Sequence, residues 1–160
     1  MALQLPDGNG TLATLNGLER SCWKRYSVEE GPKLGSATPA PRSALVVEDE
    51  WLVRMELADA LTDAGWNVVE APTGEAALEY LGQGRQFHLL VTDIRLPGPV
   101  DGWTVAERYR AADPHIVVIY CSGNPINNER QVENSTFLPK PCRIDVLLDV
   151  SNRASGDSLN

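Results

Sequence analysis

The chain has 160 residues, of which 42% are hydrophobic, so it is long enough for one domain with a packed core and some additional length. Its net charge is −8, and the acidic excess falls after residue 42, where 9 basic residues stand against 18 acidic ones. An acidic domain repels phosphate backbones, which argues against direct nucleic-acid binding, and no apolar run approaches the roughly 20 residues of a membrane helix.

The cysteines and the N-terminus bear on the compartment. The opening stretch, MALQLPDGNG, has neither the charged start nor the apolar run of a signal peptide. Cys22, Cys121 and Cys142 are odd in number and widely spaced, without a CxxC pair. We therefore expect a reducing, cytoplasmic location, with no disulfide framework and no zinc site.

Residues 1–42 are predicted to form a tail. The stretch SATPAPRS at 36–43 has the composition of a linker. Leu12, Leu15 and Leu18 have helical spacing, which is compatible with one short amphipathic helix. A mostly disordered tail is the alternative that we favour.

From residue 43 to residue 154 the sequence alternates between apolar strands and amphipathic helices, and a short tail follows at 155–160. Strands are predicted at 44–48, 66–71, 87–93, 115–122 and 136–140. Helices are predicted at 50–65, 73–84, 101–113 and 143–154, with a weak helix at 127–134. Strands this apolar do not face water, so the pattern predicts an α/β domain with a doubly wound, five-stranded parallel sheet covered by helices on both faces.

The first helix and the second helix carry more detailed predictions. The buried stripe of the first helix is predicted to comprise Leu52, Met55, Leu57, Ala60 and Leu61. Thr73 has the residue type and the position of an N-cap for the second helix.

Polar residues follow four of the predicted strands. Glu48, Asp49 and Glu50 follow the first strand, Asp93 ends the third, Ser122 and Gly123 end the fourth, and Lys140 ends the fifth. Ligands of open parallel sheets bind outside the carboxyl ends of the strands, so these side chains are expected to converge on one pocket.

The chemistry of this set suggests a metal and a phosphate. Clustered acids repel one another unless a cation lies among them, and oxygen ligands favour Mg²⁺. Ser122 and Lys140 can donate to phosphoryl oxygens, and the amide of Gly123 is open to close approach. Asp93 is then the candidate nucleophile towards phosphorus.

These motifs, in this order, resemble those of the response-regulator receiver domains of bacterial two-component signalling. The matching stretches are VVEDE, VTDIRLPGPVDGW, YCSGNP and FLPKP. The resemblance covers residues 43 to 154 and implies the CheY-like, flavodoxin-like fold with strand order 2-1-3-4-5.

The resemblance also implies residue roles at the metal site. Asp93 would accept a phosphoryl group from a histidine kinase or a histidine phosphotransfer protein. Asp49 and Asp93 would bind Mg²⁺ directly, Glu48 would act through water, and the carbonyl of Arg95 would complete the coordination.

Further implied roles concern the switch. Lys140 and Ser122 would hold the phosphoryl group, and Phe137 matches the aromatic position that reorients on activation. The resemblance implies a signalling switch rather than a turnover enzyme. Because only SGDSLN follows the last helix, we expect no output domain and a downstream protein that reads the phosphorylated state, or a relay or phosphate sink.

The sequence departs from the family pattern in three places. The loop after Asp93 is one residue longer than usual, and the segment from Ser122 to Lys140 is shorter and poor in helix formers. Cys142 stands where a phenylalanine commonly follows Lys-Pro. The shortened segment puts the usual dimer of such domains in doubt, so the choice between monomer and homodimer stays open.

Two other functions compete with this interpretation. A phosphorylation-independent adaptor of the same fold would not need the whole set of site residues. A haloacid-dehalogenase-type phosphatase would need a second aspartate two residues after Asp93, where this chain has Arg95. Taken singly, the acids after the first strand are also compatible with simple capping of the next helix.

Overall fold

A computed structural model describes residues 42–123 and 128–154 of the protein. The chain divides into two units, 1–38 and 39–160, and every described residue belongs to the second. The tails predicted at 1–42 and 155–160 therefore lie outside the described residues, apart from Arg42. Among the described residues, no helix has the length and apolar character needed to cross a membrane.

Strands and helices alternate along the described residues. The strands are β1 (Ser43–Val47), β2 (Asn67–Ala71), β3 (Leu89–Thr92), β4 (Val117–Ser122) and β5 (Thr136–Pro139). The helices are α1 (Trp51–Asp63), α2 (Gly74–Gly82), α3 (Gly102–Ala112) and α4 (Ile144–Ala154). Every one of these boundaries lies within two residues of the sequence-based prediction.

The five strands form one parallel sheet in the order β2-β1-β3-β4-β5, which confirms the predicted fold class. Successive side chains of β1 alternate between the two faces, because side chains point to opposite sides of a strand. Leu45 and Val47 join the core under α2 and α3, whereas Ala44 and Val46 join the core under α1 and α4. The central strands are thus buried on both faces, and all their carboxyl ends meet at one edge of the sheet.

The stripe predicted for α1 is only partly correct. Leu57 and Leu61 are buried, and Ala60 is partly buried, but Leu52 and Met55 are 60% and 42% exposed. A helix turns about 100° per residue, so Leu52 and Met55 point about 140° and 160° away from Leu57. The prediction rested on their apolar character alone, whereas the row of α1 that contains Leu57 and Leu61 packs against the sheet.

The weak helix predicted at 127–134 is wrong over its described part. Asn128–Arg130 forms a single 3-10 turn, and the residues before it lie outside the described ranges. The side chain of Arg130, the last residue of this turn, forms ion pairs with Asp101 at 2.8 Å and with Glu107 at 3.0 Å. Backbone at Asn134 has a φ of 55°, which a regular helix does not allow.

One disulfide contradicts the prediction made from the cysteines. Cys121 on β4 is joined to Cys142, and their Cα atoms are 6.2 Å apart. The two residues are 21 positions apart in the chain, so the sequence hides their proximity. Parallel pairing sets Cys121 opposite Leu138 of β5, and the loop after β5 then brings Cys142 back to β4.

The helix N-termini follow the capping rules. The Thr73 hydroxyl accepts a hydrogen bond from the Ala76 N–H at 3.1 Å, as predicted, and an Asp101 carboxylate oxygen accepts one from the Thr104 N–H at 2.8 Å. Burial alone would raise the pKa of Asp101, but hydrogen bonds from Thr104 and the Arg130 guanidinium outweigh it and hold that pKa below its ordinary value.

The cap at Asp101 gives a pH-dependent prediction. A lowered pKa in the folded state contributes stability that is present above the unfolded pKa of about 4 and is lost as pH falls through the folded pKa. We expect Asp101→Asn to keep the cap but lose this pH-dependent part, and Asp101→Ala to cost about 1 kcal/mol more at neutral pH. Urea unfolding followed by tryptophan fluorescence at neutral and acidic pH measures both. Equal pH dependence in the wild type and Asp101→Asn would contradict the assignment.

Candidate functional site

The polar residues that follow the strands lie around one cavity at the carboxyl edge of the sheet. The cavity has a volume of about 320 Å³ and is lined by Asp49, Glu50, Asp93, Arg95, Ser122, Gly123 and Lys140. These residues come from the ends of β1, β3, β4 and β5, as the parallel topology requires. The structure thus brings together most of the residues that the sequence motifs single out, and Phe137 is not among them.

Asp93 is held in place by the backbone on both sides. Its N–H donates to the carbonyl of Val47 at 2.9 Å, which continues the pairing of β3 with β1. Its Oδ1 accepts hydrogen bonds from the backbone N–H groups of Ile94 and Arg95. The side chain is 9% exposed, and its Oδ2 points to Lys140. One carboxylate oxygen is therefore fixed by the loop, and the other faces the cation.

Lys140 is the centre of the charge arrangement. Its Nζ donates to Asp93 Oδ2 at 2.7 Å and to Glu48 Oε1 at 2.8 Å, and it lies 3.8 Å from Glu50 Oε1. Burial would lower the pKa of Lys140, but the hydrogen bonds to Asp93 and Glu48 outweigh burial and raise it. The ammonium is thus charged. Its backbone N–H donates to the Ser122 carbonyl at 3.0 Å, which joins the ends of β5 and β4.

Glu48 is a fully buried acid with unused hydrogen-bonding capacity. Burial raises its pKa, and the nearby charge of Asp93 adds to this effect, although the hydrogen bond and the charge of Lys140 oppose it. Its Oε2 is buried and has no hydrogen-bond partner among the described residues. Glu48, Asp49 and Asp93 can each place one oxygen within 4.8 Å of the others. Carboxylate oxygens grouped in this way are the ligands that a hard divalent cation prefers.

The remaining predicted site residues differ in how they contribute. Ser122 is buried at the end of β4, and Gly123 is exposed, with open space where a Cβ would be. The side chain of Arg95 is exposed, and its backbone is what faces Asp93. Phe137 does not line the cavity but packs, half-buried, against the core under α2 and α3. Its predicted role in switching depends on a movement and stays a prediction.

Capping does not explain the acids after β1. Glu50 occupies the N-cap position of α1, yet its side chain makes no cap hydrogen bond. The Glu48 carboxylate is turned towards Lys140 instead. The acidic run is therefore part of the charged cluster and not merely a helix start.

Sequence reasoning missed Arg54, which supports the acidic pair. Its Nη1 donates to the carbonyl of Glu48 at 2.6 Å and to that of Asp49 at 3.3 Å, and its Nε pairs with Glu70 at 3.2 Å. Arg54 lies on the first turns of α1, so periodicity describes it only as a polar helix residue. The one indication in the sequence was that a cationic residue, Arg54, lies one helical turn after the acidic loop.

Comparisons with known proteins agree with this geometry. The family model of the response regulator receiver domain matches residues 44–152. The crystal structure of a response regulator receiver protein from Sinorhizobium medicae WSM419 is 31% identical, superposes with a TM-score of 0.70, and matches over 74% of this chain and 97% of that one.

Curated relatives extend the comparison. The transcriptional regulatory protein PdtaR of Mycobacterium tuberculosis is 28% identical over 74% of this chain and 58% of its own length. The response regulator receiver protein CpdR of Brucella abortus is 37% identical over 49% of this chain and 64% of its own length. The chain thus spans less than two thirds of these relatives. The receiver-domain match covers most of the chain and agrees with the sheet order and the acidic cavity, and the chain belongs to the response regulator receiver domain family of signalling proteins.

Proposed function

We propose that the chain is a phosphorylation-dependent signalling switch in which Asp93 accepts a phosphoryl group from a histidine kinase or a histidine phosphotransfer protein. The observation that carries this proposal is the contact of a charged Lys140 with both Asp93 and the buried Glu48 at the edge of an open cavity. A carboxylate held in this way has a cation ready for the charge that develops on a transferred phosphoryl group.

The residues present fit a Mg²⁺ ion. The unpartnered oxygen of Glu48 and the three carboxylates within 4.8 Å form an all-oxygen set, which a hard divalent cation prefers. Asp49 and Asp93 would bind the ion directly, with the carbonyl of Arg95, and Glu48 would act through water. When bound, the ion neutralises negative charge that develops on the phosphoryl oxygens.

The chain's own residues supply the rest of the reaction. Oδ1 of Asp93 is held by two backbone hydrogen bonds, so Oδ2, which contacts the mobile Lys140 side chain and no backbone group, is the oxygen that attacks phosphorus. The bond from phosphorus to the donor breaks as the new bond to Asp93 forms. Lys140 and the Ser122 hydroxyl then donate to phosphoryl oxygens, with the amide of Gly123 beside them.

Two kinds of partner are proposed: a protein that donates the phosphoryl group and a protein that reads the phosphorylated state. Trp51 and Leu52 follow the acidic loop directly and are 61% and 60% exposed, so the rim of the site offers apolar surface to a protein donor. We place the reaction in the cytoplasm. After phosphorylation, movement of Ser122 towards the phosphoryl group and reorientation of Phe137 would change the face that a downstream protein reads.

Intact mass measurement after incubation with acetyl phosphate tests the proposal. The wild type is expected to gain one phosphoryl group in the presence of Mg²⁺ and none when the metal is chelated. Asp93→Asn should gain none, whereas Asp59→Asn, which changes an exposed acid on α1, should react like the wild type. Absence of the adduct, together with no change in tryptophan fluorescence on adding beryllofluoride, would overturn the proposal in favour of a phosphorylation-independent adaptor.

Arg54 gives a separate prediction about metal binding. Arg54→Ala removes the donor that fixes the carbonyls of Glu48 and Asp49, so we expect Mg²⁺ affinity to fall about tenfold. Arg54→Lys should restore part of the affinity. Glu70→Gln, which weakens only the outer ion pair, should change it little. Isothermal titration with Mg²⁺ measures all three, and an unchanged affinity in Arg54→Ala would show that the loop holds its shape without the guanidinium.

A further inference from the structure

We propose that Cys121 and Cys142 form a reversible thiol–disulfide pair whose oxidation slows phosphorylation of the receiver site. The inference rests on the proposed function, because its output is the reaction of Asp93. It assigns a modification site to two cysteines that the phosphorylation chemistry does not use.

The position of the bridge couples it to the site. Cys121 directly precedes Ser122 at the end of β4, and Cys142 follows Lys140 by two residues. Their Cα atoms are 6.2 Å apart, which lies within the span of a disulfide. The same two segments already share the hydrogen bond from the Lys140 N–H to the Ser122 carbonyl. Oxidation therefore adds a covalent link between the two segments that carry the proposed phosphoryl donors.

Access to the two sulfurs is unequal. Cys121 is fully buried in the sheet, whereas Cys142 is partly exposed. Cys142 lines a second cavity, of about 340 Å³, together with Val53, Glu56, Leu57, Lys140 and Pro141. A small disulfide such as oxidised glutathione thus reaches Cys142 first, and Cys121 is placed to resolve the product.

The chemistry proceeds by two exchanges. The Cys142 thiolate attacks one sulfur of glutathione disulfide, whose S–S bond breaks, and one glutathione thiolate leaves. The Cys121 thiolate then attacks the Cys142 sulfur, the mixed disulfide breaks, and the second glutathione leaves. The two protons released by the cysteines are taken up by the two glutathione thiolates. The pair is oxidised by two electrons, and one glutathione disulfide is reduced to two thiols.

Oxidation is expected to slow phosphorylation because of the contacts that Lys140 makes in the disulfide-bonded state. In that state the Lys140 ammonium is bound to Asp93 and Glu48. Phosphoryl transfer requires Lys140 and Ser122 to regroup around a new anion, so a link between their segments restrains both. Reduction removes the restraint. Disulfides in a reducing compartment are commonly transient and serve redox sensing, which agrees with this use.

The test uses the full chain with Cys22→Ser, so that only the two proposed cysteines remain. Protein is equilibrated with oxidised glutathione or with reductant, and free thiols are alkylated and counted by intact mass. The initial rate of the Mg²⁺-dependent adduct from acetyl phosphate is then compared. We expect the oxidised form to react slower by about fivefold or more, the lower end of typical coupling between sites. Adding Cys142→Ser should give the rate of the reduced form under both conditions.

Hydrogen exchange of the amides at Ser122, Gly123 and Lys140, measured without a phosphodonor, reads the restraint independently. Slower exchange in the oxidised form is expected. Failure of the pair to oxidise, or equal exchange in both forms, overturns this inference even if Asp93 is phosphorylated. Equal phosphorylation rates overturn it as well. If neither form is phosphorylated, the proposed function fails, and the effect of the bridge on phosphorylation fails with it. The alkylation and exchange results still show whether the bridge itself forms.

Discussion

Replacing Lys140 with alanine is expected to slow phosphorylation of Asp93 about 100-fold, the loss seen when one preorganised donor to a developing anion is removed. The reason is that Lys140 lines the site cavity and its Nζ lies 2.7 Å from Asp93 Oδ2, so the ammonium is within reach of the oxygens of a phosphoryl group added to Asp93. The initial rate of adduct formation from acetyl phosphate, followed by intact mass at saturating Mg²⁺, measures the effect.

Mg²⁺ binding should change in the opposite direction. Lys140 also neutralises Glu48 at 2.8 Å, so its removal leaves two buried or nearly buried carboxylates without their shared cation. We expect Lys140→Ala to bind Mg²⁺ more tightly than the wild type, because the metal no longer competes with the ammonium. A variant that is phosphorylated more slowly but binds Mg²⁺ more tightly has lost the donor and kept its fold.

Two variants serve as controls for Lys140. Arg143→Ala removes a neighbouring cation that is 74% exposed and pairs with Asp145, so it should change neither rate nor affinity. Lys140→Arg keeps the charge but replaces the compact ammonium with a planar group, and partial activity is expected. A normal phosphorylation rate in Lys140→Ala would show that Asp93 reacts without this donor.

The fold was predictable from local pattern because the strands are buried on both faces. Continuous apolar runs such as ALVV leave no side of the strand for solvent. The parallel sheet and its helical layers therefore follow from the alternation of such strands with amphipathic helices along the chain. The stripe of α1 was predicted from apolar character alone, but Leu52 lies about 140° around the helix from Leu57, so the two residues cannot both face the sheet. The segment 127–134 is poor in helix formers, and its described part forms only one 3-10 turn, whose Arg130 pairs with Asp101 and Glu107.

The site was predictable to the extent that strand ends determine it. Ser122 ends a strand, and Asp49, Asp93 and Lys140 each lie just after one, and parallel order brings such positions to one edge. Arg54 and the bridge from Cys121 to Cys142 depend on contacts across the chain. A guanidinium that binds two loop carbonyls has no periodic pattern, and cysteines 21 positions apart meet only through the pairing of β4 with β5.

Gly102→Ala is expected to destabilise the fold by about 3 kcal/mol, the upper range for inserting a group into a closely packed place. Gly102 begins α3, and its N–H donates to the Ile94 carbonyl at 3.0 Å. A Cβ at this position would overlap the carbonyl oxygen of Asp93 and lie 2.8 Å from its carbonyl carbon and 2.9 Å from the Ile94 Cα. These are backbone atoms, so relief requires a shift of the loop and not a change of rotamer.

The same substitution should also affect the chemistry. A shift of the Asp93 carbonyl moves the backbone N–H groups of Ile94 and Arg95 that fix Oδ1, so adduct formation should fall along with stability. Gly82→Ala is the matched control: Gly82 ends α2, a Cβ there meets nothing within 4 Å, and a gain of about 0.5 kcal/mol is expected. Urea unfolding and adduct formation are measured for both. Wild-type stability in Gly102→Ala would mean that the loop after Asp93 adapts freely, and glycine at this position would then have no role in placing the phosphoacceptor.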